Sequence, residues 1–279
     1  MNLLSGLEKF GLEISEDMDI FEEDKPKTSA STEAAGEKPD IPTEDMFLLE
    51  KGIRCPVCDK VFKTKMIKNG RVKRLESDKD LRPRHQYIDT LKYDICSCPH
   101  CGYTAMTRFF PHITSVQSKL IKENICSKFH AQIEPEPAVY DYDRALERYK
   151  LSLFNTIVKK GKTSEKAYTC LKIAWLYRGK AETLDAATEE CKKEEEAFYK
   201  QAYDGMLKAV STEMFPICGM DQGTVDYLLA TMSIHYKKYD VASKLLAGIL
   251  ASNTAGRQMK DKALNLKEEV VAELKKGRG

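Results

Sequence analysis

Two pairs of closely spaced cysteines constrain this chain more than any other feature of its sequence. Cys55 and Cys58 lie in the segment CPVC, Cys98 and Cys101 lie in CPHC, and 39 residues separate the two segments. A CxxC turn places two thiolates on one edge of a tetrahedron, and two such turns supply the four sulfur ligands of a typical zinc site. The spacing therefore predicts one structural zinc ion bound by these four cysteines.

Other residues near the pairs are alternative ligands. Cys96 lies two residues before Cys98, so in a strand it faces the same side and competes for the fourth position. His85 could also ligate, whereas His100 lies inside the second pair and is expected to be exposed. Four thiolates leave no open position on the metal, and the sequence shows no general base nearby, so the site is predicted to be structural rather than catalytic.

The cysteine count and the hydropathy indicate a reducing, aqueous environment. Nine cysteines, an odd number with four in CxxC pairs, argue against a disulfide framework. The first residues lack the apolar core of a secretory signal, Asn2 stands where N-myristoylation needs glycine, and no window approaches the roughly 18 apolar residues of a membrane span. We therefore expect a cytoplasmic protein without a membrane partner. The cysteines outside the pairs, apart from Cys96, are predicted to be small packing residues: Cys126, Cys170, Cys191 and Cys218.

Charge is distributed unevenly along the chain. Residues 1–50 carry 4 basic and 14 acidic side chains, residues 51–110 carry 14 and 6, and the whole chain has a net charge of +2. Residues 60–84 are predicted to form a basic hairpin that turns at Asn69 and Gly70. Such a field could bind nucleic-acid phosphates, or it could be a solvated face or be neutralised by the acidic tail. Its cations are Lys60, Lys63, Lys65, Lys68, Arg71, Lys73, Arg74, Lys79, Arg82 and Arg84.

The pattern of hydrophobic residues divides the chain into three segments of an α+β protein. Residues 1–46 are predicted to be an acidic, mostly disordered tail with a short amphipathic helix within residues 1–24, which could dock on a partner or on the protein's own helices. Residues 47–110 are predicted to be a small zinc-ribbon-like β domain. Residues 111–279 have a helical period and are predicted to form an all-α domain, with helices at about 115–132, 139–160, from 163, 185–210, 223–251 as a pair, and 255–275.

The helix pair in residues 223–251 has the spacing of small and large residues found in tetratricopeptide repeats. Ala230 and Ala242 are predicted to lie where its two helices cross closely. The match is partial, because Asp226 stands at the tryptophan-like position and Lys237 at a glycine position. A group in the helix predicted from residue 163, Trp175, Tyr177 and Arg178, is predicted to belong to the core rather than to a ligand site.

Several longer segments together resemble an uncharacterised bacterial family, of clostridial type, that pairs an N-terminal cysteine domain with tetratricopeptide-like helices. The resemblance implies a cytoplasmic location, zinc and a helical interaction scaffold, and it implies no reaction. It is carried by CPVCDKVFKTK (55–65), SDKDLRPR (77–84), YDICSCPHCGYTA (93–105), LKIAWLYR (171–178) and YLLATMSIHYKKYDVASKLL (227–246).

Three functions are compatible with these features. The first expectation is a non-enzymatic, cytoplasmic, zinc-binding adaptor or scaffold that binds unidentified protein partners through its helical domain. The alternative is a nucleic-acid-associated zinc-ribbon protein that uses the basic hairpin at 60–84. The third is an enzyme with a cryptic site among the helices.

Overall fold

The structure is a computed structural model that describes residues 41–131, 136–183 and 188–276. Within these ranges, two small antiparallel sheets precede a helical region. The tail predicted for residues 1–46, with its amphipathic helix, lies outside the described residues except at its end. There, residues Glu44–Phe47 form a 3₁₀ turn that leads into the first strand.

The first sheet is a hairpin of strands β1 (Leu48–Arg54) and β2 (Val61–Ile67), and the first cysteine pair lies in the turn between them. The strands pair in full register, from Leu48 opposite Ile67 to Arg54 opposite Val61. In β2, Phe62 is buried while its neighbours Val61 and Lys63 are exposed, which is the alternation of a sheet with one solvated face. One face of the sheet therefore packs on the interior, and in the turn Cys55 is buried while Cys58 is half-buried.

The predicted hairpin around Asn69 and Gly70 is wrong. These residues do form a turn, with Gly70 at a φ of +79°, but no strand follows them. β2 uses its backbone groups to pair with β1, and the next segment makes only a single bridge, between Arg74 and His85. Residues 60–84 are therefore one strand followed by an irregular loop.

The second sheet is a shorter hairpin of β3 (Ile95–Ser97) and β4 (Thr104–Met106), joined by the turn that carries the second cysteine pair. A 3₁₀ turn over Thr90–Tyr93 precedes it and is capped by the carboxylate of Asp89. The residues that lead into the second cysteine pair are therefore extended only from Ile95, since Thr90–Tyr93 is helical.

The helical region follows the predicted segments closely. The first predicted helix is shorter than expected and ends in a π-helical turn at Lys122–Cys126. The next begins after Asp141, whose carboxylate accepts a hydrogen bond from the backbone N–H of Arg144 at 2.7 Å, a typical N-cap. The helices are α1 (Ser115–Ile121), α2 (Tyr142–Val158), α3 (Thr163–Thr183), α4 (Thr188–Thr212), α5 (Gln222–His235), α6 (Tyr239–Ala251) and α7 (Arg257–Lys276).

The main hydrophobic core joins the second sheet to the helices. Ile95 of β3 and Met106 of β4 are buried in the same cluster as Leu171 and Trp175 of α3, and Trp175 is therefore a core residue. The hydroxyl of Tyr149 in α2 donates a hydrogen bond to the carbonyl of Leu91 at 3.0 Å. The division into domains at 110/111 remains a prediction, and the segments on either side share this core.

The last three helices enclose a separate core built around small residues. Ala230 of α5, Ala242 of α6 and Ala263 of α7 are fully buried in one cluster with Tyr227 and Leu246. Ala230 and Ala242 thus lie in close helix packing, as the spacing predicted. In the described ranges, no helix combines the length and the hydropathy that a membrane crossing requires.

Candidate metal centre

Both cysteine pairs are held by the same backbone turn. In the first, the N–H of Cys55 bonds to the carbonyl of Lys60 and the N–H of Asp59 bonds to the carbonyl of Cys55, each at 2.9 Å. In the second, Cys98 N–H bonds to the carbonyl of residue 103 at 2.9 Å and Gly102 N–H bonds to the carbonyl of Cys98 at 3.0 Å. Asp59 and Gly102 occupy equivalent positions with φ of 63° and 76°. The two hairpin turns therefore present their cysteines in the same way.

The turns bring Cys55, Cys58, Cys98 and Cys101 together, with all four sulfur atoms within 4.8 Å of one another. The Sγ atoms of Cys55 and Cys101 are 3.7 Å apart, as are those of Cys58 and Cys98. A tetrahedron with metal–sulfur bonds of about 2.3 Å has edges of about 3.8 Å. Two of the six sulfur–sulfur distances thus match a tetrahedral edge and all six are short enough for one shared metal ion, and Cys58 alone of the four is more than slightly exposed.

The four thiols also interact through shared protons. The pKa of Cys98 falls well below its usual range because Cys101 and Cys55 donate hydrogen bonds to its sulfur. The pKa of Cys101 rises because its thiol donates to Cys55 and Cys98. A metal cation bound by this group would displace these protons, because thiolate is the form that ligates metals. The group is therefore compatible with a metal ion on both geometry and charge.

The structure separates the competing ligands from the four cysteines. The sulfur of Cys96 donates to the hydroxyl of Thr107 at 3.6 Å, and burial raises its pKa, which favours the neutral thiol. His85 forms a hydrogen bond with Thr90, and His100 is exposed as expected. None of the three belongs to the group of four sulfurs.

A fifth thiol, Cys126, lies beside the site, although its position in the sequence predicts an ordinary packing residue. Cys126 is half-buried at the end of the π-helical turn and packs against the cluster that contains Cys55, Cys98 and Cys101. Burial raises its pKa, and a hydrogen bond with Cys101 opposes that rise. The segment that carries Cys126 covers the second turn, and its Phe129 lies directly over Gly102. Only the tertiary packing of this segment brings the fifth thiol to the metal centre.

Replacing Gly102 by alanine tests this packing. A Cβ at position 102 would lie 2.5 Å from the ring of Phe129, and the backbone has a φ of +76°. We expect Gly102→Ala to lower the free energy of unfolding by about 2–4 kcal/mol, the sum of left-handed strain and overpacking. Gly70→Ala is the control, because Gly70 has nearly the same φ but nothing within 4 Å, and it should cost only about 1–2 kcal/mol. Urea denaturation measures both, and equal losses would contradict the close packing of Phe129.

Several side chains of the predicted basic surface are buried or form ion pairs within the protein. Arg82 is only 2% exposed, Arg84 forms ion pairs with Asp78 and Glu182, and Lys79 reaches the carboxylate of Glu269 in α7 at 2.8 Å. The side chain of Lys65 is also largely buried. The cations that remain exposed without an ion pair in the described ranges are Lys60, Arg71, Lys73 and Arg74.

The loop after β2 is anchored to α3 by a network of charges around the buried Arg82. Arg82 lies within 3.7 Å of Asp78, 3.5 Å of Asp89 and 3.0 Å of Glu182. Burial raises the pKa of Glu182, but the hydrogen bonds and charges of Arg84 and Arg82 outweigh that effect and lower it. In the sequence, the alternation of acids and bases in residues 77–85 is the one sign of this network.

A second part of the network fixes the side chain of Trp175 in α3. The indole N–H of Trp175 donates to the carboxylate of Asp80 at 2.9 Å, and Arg178 pairs with the same carboxylate at 2.9 Å. Arg178 also pairs with Glu195 of α4 at 2.7 Å. The segments 77–84 and 171–178, which were separate in the sequence, therefore form one structural unit.

Comparison with known proteins identifies a family but no activity. A family model described as "Uncharacterized protein conserved in bacteria (DUF2225)" matches residues 48–270, which include both sheets and nearly all of the helices. No curated protein and no solved structure matches the chain.

Proposed function

The chain belongs to this uncharacterised bacterial family, and from its geometry we propose that it is a non-enzymatic, cytoplasmic, zinc-binding adaptor that binds protein partners through its helical region. Under this proposal, the sheets form a zinc-ribbon-like unit and the helices a tetratricopeptide-like scaffold. The pairing of these two units in the family, and its clostridial type, belong to the proposal as well.

The donor set supports a structural zinc ion. Cys55, Cys58, Cys98 and Cys101 supply four soft ligands at tetrahedral spacing, and Zn²⁺ prefers such sites in proteins. Four protein ligands complete the coordination sphere and leave no position for a reactive water molecule. All nine cysteines are free thiols, which fits a reducing compartment. The zinc would therefore hold the two hairpin turns together.

The exposed apolar face of α7 is the observation that carries the adaptor proposal. One side of α7 packs on α5 and α6 through Ala263, whereas Leu264 is 48% exposed and Val271 is 42% exposed on the other side. Helix-pair arrays bury one side of each helix against the next helix. Apolar residues that stay exposed on the outer side of α7 are typical of a surface to which another protein binds.

Affinity purification from the bacterium, followed by mass spectrometry, tests this proposal. We expect the wild-type chain to retain a specific partner, and we expect Leu264→Glu with Val271→Glu to reduce the recovery at least ten-fold, because charges would enter the apolar contact. Val116→Glu is the matched control, since Val116 is an exposed apolar residue on α1. Thermal unfolding should show that all variants are folded. Failure to retain any partner, or equal loss in the control, would contradict the proposal.

The nucleic-acid alternative now rests on a smaller set of cations. Lys60, Arg71, Lys73 and Arg74 remain exposed, while Arg82 and Arg84 pair with carboxylates. Binding to phosphates would weaken steeply with salt. Salt-dependent retention on DNA or RNA that is lost in Arg71→Glu with Lys73→Glu would favour this alternative over the adaptor.

A further inference from the structure

A cavity of about 390 Å³ lies where the loop after β2 meets the helical region. Its walls come from residues 74–83, from α3, from α5 with the residue before its cap, and from α7. Its volume is in the range of small-molecule sites in proteins, roughly 300–1,000 Å³. The cavity is separate from the metal centre, because none of the four cysteines lines it.

The lining of the cavity combines an apolar interior with cations. Leu91, Leu228 and the indole of Trp175 are buried residues of the wall, and Met220 and Met259 add flexible apolar surface. Methionine side chains adapt to ligands of irregular shape. This interior suits the apolar part of a small organic molecule.

The cations of the lining are not balanced by acids. Arg74 and Lys262 line the cavity, and in the described ranges neither forms an ion pair with a carboxylate. Lys172 also lines it, but its charge is neutralised by an ion pair with Asp94. No carboxylate of the described residues is part of the wall. The cavity therefore has a local excess of about two positive charges, and an anion would be attracted to it.

Contacts within the protein already hold the wall of the cavity in position before any ligand binds. Asp80 binds both the indole N–H of Trp175 and the guanidinium of Arg178. Leu81 has a φ of 67°, a strained conformation for a leucine, and packs against both the main core and the core of α5–α7. Strained residues occur often at binding sites, where the surrounding structure maintains them. A preformed wall lowers the entropic cost of binding.

We propose that this cavity binds a small organic anion with an apolar body, such as a medium-chain or aromatic carboxylate. The apolar body lies against Leu81, Met220 and Met259, which line the cavity and are only half-buried, and the anionic group lies near Arg74 and Lys262. This site is independent of the protein partner and of the zinc ion.

Fluorescence titration of the full chain with 8-anilinonaphthalene-1-sulfonate, an aromatic anion, tests the proposal. We expect saturable binding that octanoate displaces and octylamine does not, because the two competitors share the apolar chain but differ in charge. Arg74→Glu with Lys262→Glu should weaken binding at least ten-fold. Thr224→Trp, which places a large ring in the wall and keeps both cations, should abolish the displaceable signal.

Lys208→Glu with Lys244→Glu is the control for net charge. Both lysines are exposed, on α4 and α6, and neither lines the cavity. We expect this control to bind the probe like the wild type. Equal displacement by octanoate and octylamine, an equal loss in the control, or a normal signal in Thr224→Trp would overturn the proposal.

Discussion

Replacing Cys98 by serine is expected to remove the metal and to unfold both hairpins. Cys98 is fully buried and its sulfur lies 3.7 Å from that of Cys58. A water molecule therefore cannot reach the metal to replace the missing thiolate ligand. Structural zinc contributes roughly 10–16 kcal/mol of apparent binding energy in small finger peptides, and this energy is coupled to folding. We expect the variant to purify with less than a tenth of the wild-type metal and to lose more than about 3 kcal/mol of stability.

Cys96→Ser is the matched control for this prediction. Cys96 is also buried and lies only two residues away, but its sulfur contacts Thr107 rather than the other cysteines. Its serine variant should keep the full metal content. Metal analysis and hydrogen exchange of residues 48–106 measure both effects. If Cys96→Ser loses the metal and Cys98→Ser keeps it, the ligand assignment is wrong.

Replacing Arg82 by methionine is expected to cause the second large loss of stability. Methionine retains much of the side-chain volume but removes the cation that faces Asp78, Asp89 and Glu182. Removing one partner of a buried ion pair typically costs about 3–5 kcal/mol where the remaining charge is left unpaired. Arg84 still pairs with Asp78 and Glu182, so Asp89 is the carboxylate that loses its cation. We expect a loss of about 3 kcal/mol in urea denaturation, because Arg82 is 2% exposed.

Lys79→Met provides the comparison within the same loop. Lys79 pairs with Glu269, but both side chains are largely exposed, at 70% and 48%. Pairs of this kind contribute about 0–1 kcal/mol, since water screens them and their long side chains lose entropy. A loss in Lys79→Met as large as that in Arg82→Met would show that burial does not control the strength of the network.

The parts of the fold that depend on local patterns could be predicted from the sequence. Helices α2, α4, α6 and α7 have an apolar period over 13 or more residues, α3 and α5 are apolar on most sides, and a cap such as Asp141 marks the start of α2. The four cysteines were predictable because two CxxC turns impose a specific local geometry. In both cases the residues that determine the local structure lie within a short stretch of chain.

The parts that depend on distant contacts were missed. Asn69 and Gly70 do form a turn, but β2 pairs with β1, which precedes it, and not with the residues after the turn. The local turn signal therefore did not identify the partner strand. Arg82 was assigned to a basic surface because arginine is rarely buried, and only the contact with Glu182, 100 residues away, explains its position. Cys126 approaches the metal centre only through the packing of its segment over Gly102.

X-ray absorption spectroscopy at the zinc edge tests the central claim, a closed four-cysteine zinc site, most directly. The proposed function predicts about one zinc ion per chain, four sulfur neighbours at about 2.3 Å and no oxygen or nitrogen ligand. A protein that folds without metal, or a spectrum with an oxygen or nitrogen ligand in the first coordination sphere, would contradict it.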